Sequence, residues 1–136
     1  MEFKLEFRLP TVQEYQRLRE TTSWGQLEEK TVSTLLSHTL YAVCITREQE
    51  IVASGRIIGD GAYFYIQDVI VLPHFKNKDL GRTVMEALES WLTNTAQPHA
   101  FVGLMAAKGT AAFYEKLNYK LRDPESPGMF KILESD

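Results

Sequence analysis

The sequence of 136 residues predicts a mixed α/β domain. Near the start, apolar residues at positions 3, 5, 7 and 9 alternate with polar ones, which is typical of a strand with one buried face. The stretch 40–72 holds three strand-like segments separated by short turns, and this pattern predicts an antiparallel meander. A helix-like repeat then lies between two strand-like segments, which favours a parallel strand pair. The predicted sheet is therefore partly antiparallel and partly parallel.

The remaining elements follow in order along the chain. Pro10 ends the first strand, and Thr11 with Glu14 forms a capping-box signature for a helix to about Glu20. A second helix is expected beyond Trp24. The other predictions are strands at 40–46, 51–58, 62–72 and 101–106, helices at 80–95 and 110–117, and a closing strand pair at 119–121 and 129–133.

Composition narrows the class of protein. The net charge of −3, with no run of like charges, argues against a nucleic-acid or membrane-surface binder and favours a cationic or neutral small partner. Cys44 is the single cysteine, so no internal disulfide can form, and a buried apolar role is expected for it. The histidines are dispersed, and no metal site is expected. We expect one domain, residues 1–136, in the cytoplasm, since no targeting or membrane-spanning pattern appears.

A polar turn joins a predicted strand to a predicted helix at residues 71–81, and it carries Lys76 and Lys78. The first N–H groups of a helix have no partner inside the helix, and they lie at the positive end of its dipole. A pyrophosphate can bind such a terminus through the backbone alone. The junction is therefore a candidate cofactor site.

Two motifs resemble the GNAT family of N-acetyltransferases, and the resemblance covers nearly the whole chain in element order. The first is Val-x-Pro-x-Phe-Lys-x-x-Asp-x-Gly at 71–81, which is similar to the family's acetyl-CoA loop, an Arg or Gln followed by x-x-Gly-x-Gly or Ala. The second is Phe-Tyr-Glu-Lys-Leu-Asn-Tyr at 113–119, similar to the family's Phe-Tyr-x-x-x-Gly-Phe segment. The resemblance implies a mostly antiparallel sheet of six to seven strands with about four helices and splayed central strands.

Three positions depart from the family pattern. Asp79 stands at the first glycine of the loop, Asn77 where many members have another glycine, and Asn118 at the glycine after the second motif's helix. Asp and Asn tolerate left-handed backbone angles best among the other residues, so the turns are expected to keep their shape. The Asp79 carboxylate is expected to repel a pyrophosphate unless it points away or caps the helix.

Acetyl-CoA is the co-substrate that the resemblance implies. Its pantetheine arm is expected along the strand 67–72, where N–H groups near 69–71 would hydrogen-bond the thioester carbonyl. The implied mechanism is direct transfer to the amine in a ternary complex. The residues expected to bind the cofactor are Val69, Ile70, Val71, Lys76, Asn77, Lys78, Asp79, Leu80, Gly81, Arg82, Thr83, Phe113 and Lys116.

Tyr114 is the expected general acid. An unperturbed phenol has a pKa of about 10 and a thiol about 8.5, so at neutral pH the phenol stays protonated and can protonate the departing CoA thiolate. Without the motif, core packing would be the better interpretation of this tyrosine. Asp68 is the candidate base, directly or through water; the alternatives are a structural carboxylate, and ordered water in place of a dedicated base.

Trp24 and Tyr65 are the expected substrate-binding residues, because in this family the first two helices and the central strands wall the acceptor site. Strand alternation puts Phe64 and Tyr65 on opposite faces, so both cannot line one pocket unless a bulge intervenes.

The predicted function is transfer of acetyl from acetyl-CoA to a primary amine, with a small-molecule amine as the expected acceptor. A protein-lysine acetyltransferase and an acyl-CoA-binding regulatory module without turnover are the alternatives; Asp79 favours the module and Tyr114 favours the enzyme. The sequence lacks the glycine-rich signatures of other phosphate-ligand binders. No metal, nucleic acid or membrane partner is expected, and a homodimer is left open.

Overall fold

A computed structural model describes residues 2–134 of the chain. The chain divides into two compact units, Met1–Leu104 and Met105–Asp136. Within the described range, no helix combines the length and apolar composition needed to cross a membrane.

The first unit holds nine of the elements and the second unit holds one. In chain order they are β1 (Lys4–Glu6), α1 (Val12–Arg19), α2 (Glu29–Ser37), β2 (Tyr41–Arg47), β3 (Glu50–Gly59), β4 (Tyr63–Val71), a 3₁₀ turn (Pro73–Phe75), α3 (Leu80–Thr95), β5 (Phe101–Gly103) and α4 (Ala111–Glu115).

The strands form one mixed sheet in the order β1-β2-β3-β4-β5. β1 to β4 pair antiparallel, and β4 pairs with β5 in parallel. The antiparallel meander and the parallel strand–helix–strand unit are therefore confirmed. The strand count is lower than expected, with five strands among the described residues.

The predicted closing strand pair is absent, because 119–121 and 129–133 form no strand. Apolar side chains there are largely exposed, with Phe130 at 76% and Leu133 at 84%. Alternating hydrophobicity identifies residues able to form a strand, but a strand also needs a neighbour that accepts its hydrogen bonds. β5 is likewise shorter than predicted, ending at Gly103.

The start of α1 matches the sequence signal. The Glu14 N–H donates to Thr11 Oγ1 over 3.1 Å, and the Thr11 N–H donates to Glu14 Oε1 over 2.9 Å, which completes the capping box. Arg8 also donates two hydrogen bonds to the Glu14 carboxylate, at 2.7 and 3.0 Å. β1 ends earlier than the alternation predicted, and Phe7, beyond it, is 67% exposed.

Helix α3 lies against β2, β3 and β4. Its buried face consists of Leu80, Val84, Met85, Leu88 and Leu92. A Cβ atom placed on Gly55 of β3 would lie 2.6 Å from Val84 Cγ1 and 3.2 Å from Leu88 Cδ1. The helix can approach the sheet this closely only because residue 55 has no side chain. This packing fixes the N-terminus of α3 beyond the end of β4.

Candidate active site

The edge of β4 that faces β5 is only partly paired. β5 pairs with Tyr63–Tyr65, and no described strand continues along this edge from Ile66 to Val71. The N–H of Leu72 donates to Val52 O of the β3 side over 2.9 Å. Strand alternation therefore directs the Ile70 N–H towards β3 and the Val71 N–H towards the open edge. The sheet opens where the pantetheine arm is expected.

A bulge interrupts β4 beside this open edge. Ser54 pairs with Ile70 and Arg56 with Gln67, so Asp68 and Val69 together oppose the single residue Gly55. Asp68 has a φ of 54°, in the left-handed region. A bulge of this kind bends the strand and re-aims its side chains.

The Asp68 carboxylate is held by side chains from two other elements. Its Oδ2 accepts hydrogen bonds from Tyr15 Oη at 2.7 Å and from Arg56 Nε at 2.8 Å. Its Oδ1 lies 3.9 Å from Arg19 Nη1. The side chains of Asp68, Arg56 and Arg19 are 11%, 12% and 17% exposed. These four residues, which we call the arginine cluster, tie α1 to β3 and β4.

Tyr15 acts in this cluster as a hydrogen-bond donor. Its burial, and next the charge of Asp68, raise the pKa of its phenol. The group therefore stays protonated at neutral pH and keeps its bond to the carboxylate. The bulge at Asp68 is fixed by this bond and by the ion pair with Arg56.

The two carboxylate oxygens of Asp68 differ in their hydrogen bonds, which bears on whether this residue is a base or a structural carboxylate. Oδ2 is already engaged by two donors, as the structural interpretation expects. Oδ1 has no hydrogen bond within residues 2–134 and is the oxygen able to accept one from an incoming group. A role for Asp68 as the base stays a prediction.

The turn before α3 adopts the expected backbone shape. Asn77 has a φ of 66° and Asp79 a φ of 61°, both left-handed. Asp79 occupies the N-cap position of α3, yet its side chain makes no capping hydrogen bond. Its carbonyl instead accepts the N–H and the hydroxyl of Thr83, each over 3.0 Å. The carboxylate is therefore not engaged in capping.

The same turn offers a continuous set of donors. Among the hydrogen bonds of the described residues, none uses a backbone N–H between Asn77 and Arg82. Lys76 and Lys78 supply two positive charges, against the negative charge of Asp79, and Arg82 is paired with Glu86, whose Oε2 lies 3.4 Å from its Nε. Free N–H groups at the positive end of a 16-residue helix, with cations beside them, suit an anionic pyrophosphate.

The second motif lies in the second unit. The Tyr114 ring contacts those of Phe113 and Tyr119, with centroids 5.0 and 6.2 Å away. Burial raises the pKa of Tyr114, so the phenol keeps its proton above its ordinary range. Asn118 has a φ of 73°, as expected for a residue in the place of glycine, and Lys116 is the C-cap of α4.

Two predicted substrate-binding residues are accessible in the first unit. Tyr65 is 41% exposed, whereas its neighbour Phe64 is 3% exposed and packs edge-on against Trp91 of α3. The two side chains therefore lie on opposite faces, as alternation predicted. Trp24 is 49% exposed, and the Arg19 guanidinium lies 5.6 Å from its ring centroid.

Other reactive groups do not join this region. Cys44 is buried, and burial raises the pKa of its thiol to about 11, so the thiolate is scarce at neutral pH. Within the part of the chain that the structure describes, no three metal-ligating side chains come together.

Three members of the arginine cluster were not predicted from the sequence: Tyr15, Arg19 and Arg56. One signal was present, since Arg56 interrupts an otherwise apolar stretch of the predicted strand 51–58. A charged residue in such a position is rarely buried unless it is paired. The partner could not be identified from the chain, because Asp68 lies on another strand and Tyr15 on a helix.

Solved structures resemble this one over nearly its full length. A protein of unknown function from meticillin-resistant Staphylococcus aureus, described as a probable acetyltransferase, is 25% identical with a TM-score of 0.90, covering 97% of this chain and 100% of that one. A GNAT family acetyltransferase from Streptococcus pneumoniae is 21% identical, with a TM-score of 0.79 and coverages of 98% and 100%. Glucosamine-6-phosphate N-acetyltransferase from Arabidopsis thaliana is 20% identical, with a TM-score of 0.75 and coverages of 98% and 100%.

No curated protein sequence matches the chain. The sequence model of the GNAT acetyltransferase domain does match it, over residues 37–121. This match spans more than half of the 136 residues and includes both motifs up to Tyr119. The chain belongs to the GNAT family of acetyltransferases.

Proposed function

We propose that the chain is a single N-acetyltransferase domain that moves acetyl from acetyl-CoA to the primary amine of a small molecule. The observation that carries this proposal is the open edge of β4, which leads to backbone N–H groups at the start of α3 that no described residue engages in a hydrogen bond. An extended arm with a pyrophosphate at one end fits such a path. The family match, which runs across both units, supports the reaction class.

Acetyl-CoA, when bound, supplies an acyl group activated as a thioester. Among residues 69–71, the Val71 N–H faces the open edge and would hold the carbonyl oxygen where negative charge develops. An ammonium has no lone pair, so the amine must lose a proton, to Asp68 Oδ1 or to an ordered water. As the C–N bond forms and the C–S bond breaks, the phenol of Tyr114 would protonate the leaving thiolate.

A regulatory module that binds acyl-CoA without turnover is the second candidate. Two observations favour it: Asp79 places a carboxylate in the turn before α3, where the pyrophosphate is expected, and Asp68 already accepts two hydrogen bonds. A protein-lysine acetyltransferase is the third candidate. The exposed side chains of Trp24 and Tyr65 could contact a peptide or a small molecule, so they do not favour this candidate over an enzyme that acts on small amines.

Product analysis distinguishes these candidates. The protein is incubated with acetyl-CoA and either small primary amines or lysine peptides, and acetylated products are identified by mass spectrometry. We expect acetylated small amines. Acetylation of peptides alone would establish the protein-lysine alternative, and binding of acetyl-CoA with no acetylated product across both sets would favour the module.

A further inference from the structure

The arginine cluster carries more positive than negative charge. Arg19 and Arg56 together contribute two positive charges, and Asp68 contributes the only negative charge among the four side chains. All three charged side chains are at least four-fifths buried. Charge that is withdrawn from water without a counter-ion is costly, so the cluster favours a further anion.

Both arginines also keep unused donors. Arg56 donates through Nε to Asp68 and through Nη1 to Thr39 Oγ1, and Arg19 donates through Nε to Gly25 O and through Nη1 to Tyr15 Oη. The residues that the structure describes give neither Nη2 a partner. Neither Nη2 is among the fully buried nitrogens without a hydrogen bond, so neither atom is completely shielded from solvent. The N–H groups of each Nη2 are therefore left to bind an anion, and carboxylates and phosphates are the anions that guanidinium groups bind best.

The cluster lies beside the expected point of acyl transfer. Asp68 lies on β4 three residues before Val71, whose N–H is proposed to hold the thioester carbonyl. An acceptor whose amine reaches this point would place its remaining groups near the two guanidiniums. The exposed ring of Trp24 lies against Arg19 and borders the same region.

We infer that the acceptor is a small amine that also carries an anionic oxygen group, a carboxylate or a phosphate, held by Arg19 and Arg56. This inference rests on the proposed function and specifies its substrate class. The overall charge of −3 by itself favours a cationic or neutral partner, but the two guanidiniums would touch the acceptor directly, whereas more distant exposed charges are screened by salt. Hydrogen bonds to charged groups contribute enough to give about a tenfold to hundredfold preference.

Matched pairs of acceptors test this preference. Amino acids are compared with their amides, and amino-sugar phosphates with the free amino sugars, by the kcat/KM for thiol release. We expect kcat/KM for at least one anionic acceptor to exceed that for its neutral partner about tenfold or more, mainly through a lower KM. The two series tell carboxylate from phosphate recognition. Equal values in both series, or higher values for the neutral members, would overturn the inference.

Variants separate recognition from a structural role. Arg19→Gln should raise KM for the anionic acceptor by a larger factor than for its neutral partner, and Arg19→Lys should restore part of the preference. Arg17→Gln is the control, because it removes the same charge from the same helix at an exposed pair with Glu50. Equal losses for both acceptors in Arg19→Gln would show that the arginine only supports the fold.

A binding measurement keeps the inference testable without turnover. In a spectrum of arginine Nε–H groups, titration with an amino acid or with inorganic phosphate should shift the Arg19 and Arg56 signals and leave Arg17 unmoved. If no amine is acetylated but these signals shift, the proposed function fails and the anion site stands. If amines are acetylated and the signals do not shift with any anionic compound, the function stands and the anion site is refuted.

Discussion

Removal of the negative charge at position 79 should tighten the binding of CoA. Asp79 is exposed and stands at the N-cap of α3, beside N–H groups that no described residue engages. Two unit charges 4 Å apart repel by about 1 kcal/mol in bulk water and by about 4 kcal/mol near a protein surface. For an exposed carboxylate near a pyrophosphate we take about 1 kcal/mol, which corresponds to about a fivefold change in Kd.

Two substitutions at position 79 separate the effect of the charge on CoA affinity from the effect of the backbone conformation. Asp79→Asn removes the charge and keeps a residue that tolerates the left-handed φ of 61°. Asp79→Gly also removes the backbone restriction, but the turn is already left-handed before binding, so the two variants should gain similar affinity. Any added benefit of Gly should appear in thermal stability rather than in Kd.

Calorimetric titration with CoA at low and high salt is the assay. The gain should shrink as salt rises, because salt screens exposed charges. Glu28→Gln is the matched control, since it removes the same charge at the start of α2. An unchanged or weaker affinity of Asp79→Asn, or a gain of the same size in Glu28→Gln, would refute repulsion by Asp79.

Three further predictions concern other parts of the molecule. Tyr114→Phe should lower turnover by about 100-fold with CoA affinity intact. Near-normal turnover of this variant, when chemistry limits the rate, would show that Tyr114 is not the general acid. Because burial raises the pKa of Tyr114 and the protonated phenol is the active form, the kcat of the wild-type protein should decline through this group only above about pH 10. Gly55→Ala should destabilise the fold by about 1–3 kcal/mol in a denaturant titration, since its Cβ would meet Val84 Cγ1 at 2.6 Å; an unchanged midpoint would show that α3 shifts freely. Cys44 should not react with a thiol reagent at pH 8 until the protein is denatured, because it is buried with a pKa of about 11; rapid reaction of the native protein would contradict this burial.

Local signals in the sequence were sufficient for much of the fold. The capping box of Thr11 and Glu14 lies within one helical turn, and both of its hydrogen bonds form. Asn77, Asp79 and Asn118 stand where the family pattern has glycine and tolerate left-handed angles, so such angles were expected there, and all three residues adopt them.

Features that depend on residues far apart in the chain could not be predicted in this way. The bond between Tyr15 and Asp68 joins positions 53 residues apart, and no local pattern indicates it. The bulge at Asp68 depends on how β3 and β4 pair, which the periodicity of either strand does not specify. The prediction of a closing strand pair was wrong for a similar reason, because the hydrophobic pattern at 129–133 does not indicate whether a neighbouring strand is present to pair with it.

Titration of the purified protein with acetyl-CoA, followed by a thiol-release assay on addition of primary amines, decides whether the chain binds acetyl-CoA and transfers its acetyl group. Because Cys44 is the only cysteine and is buried, the native protein should add little background to the thiol signal. We expect saturable binding of acetyl-CoA and release of CoA thiol that depends on the amine. An absence of binding would contradict the claim that the turn before α3 and the open edge of β4 form an acetyl-CoA site.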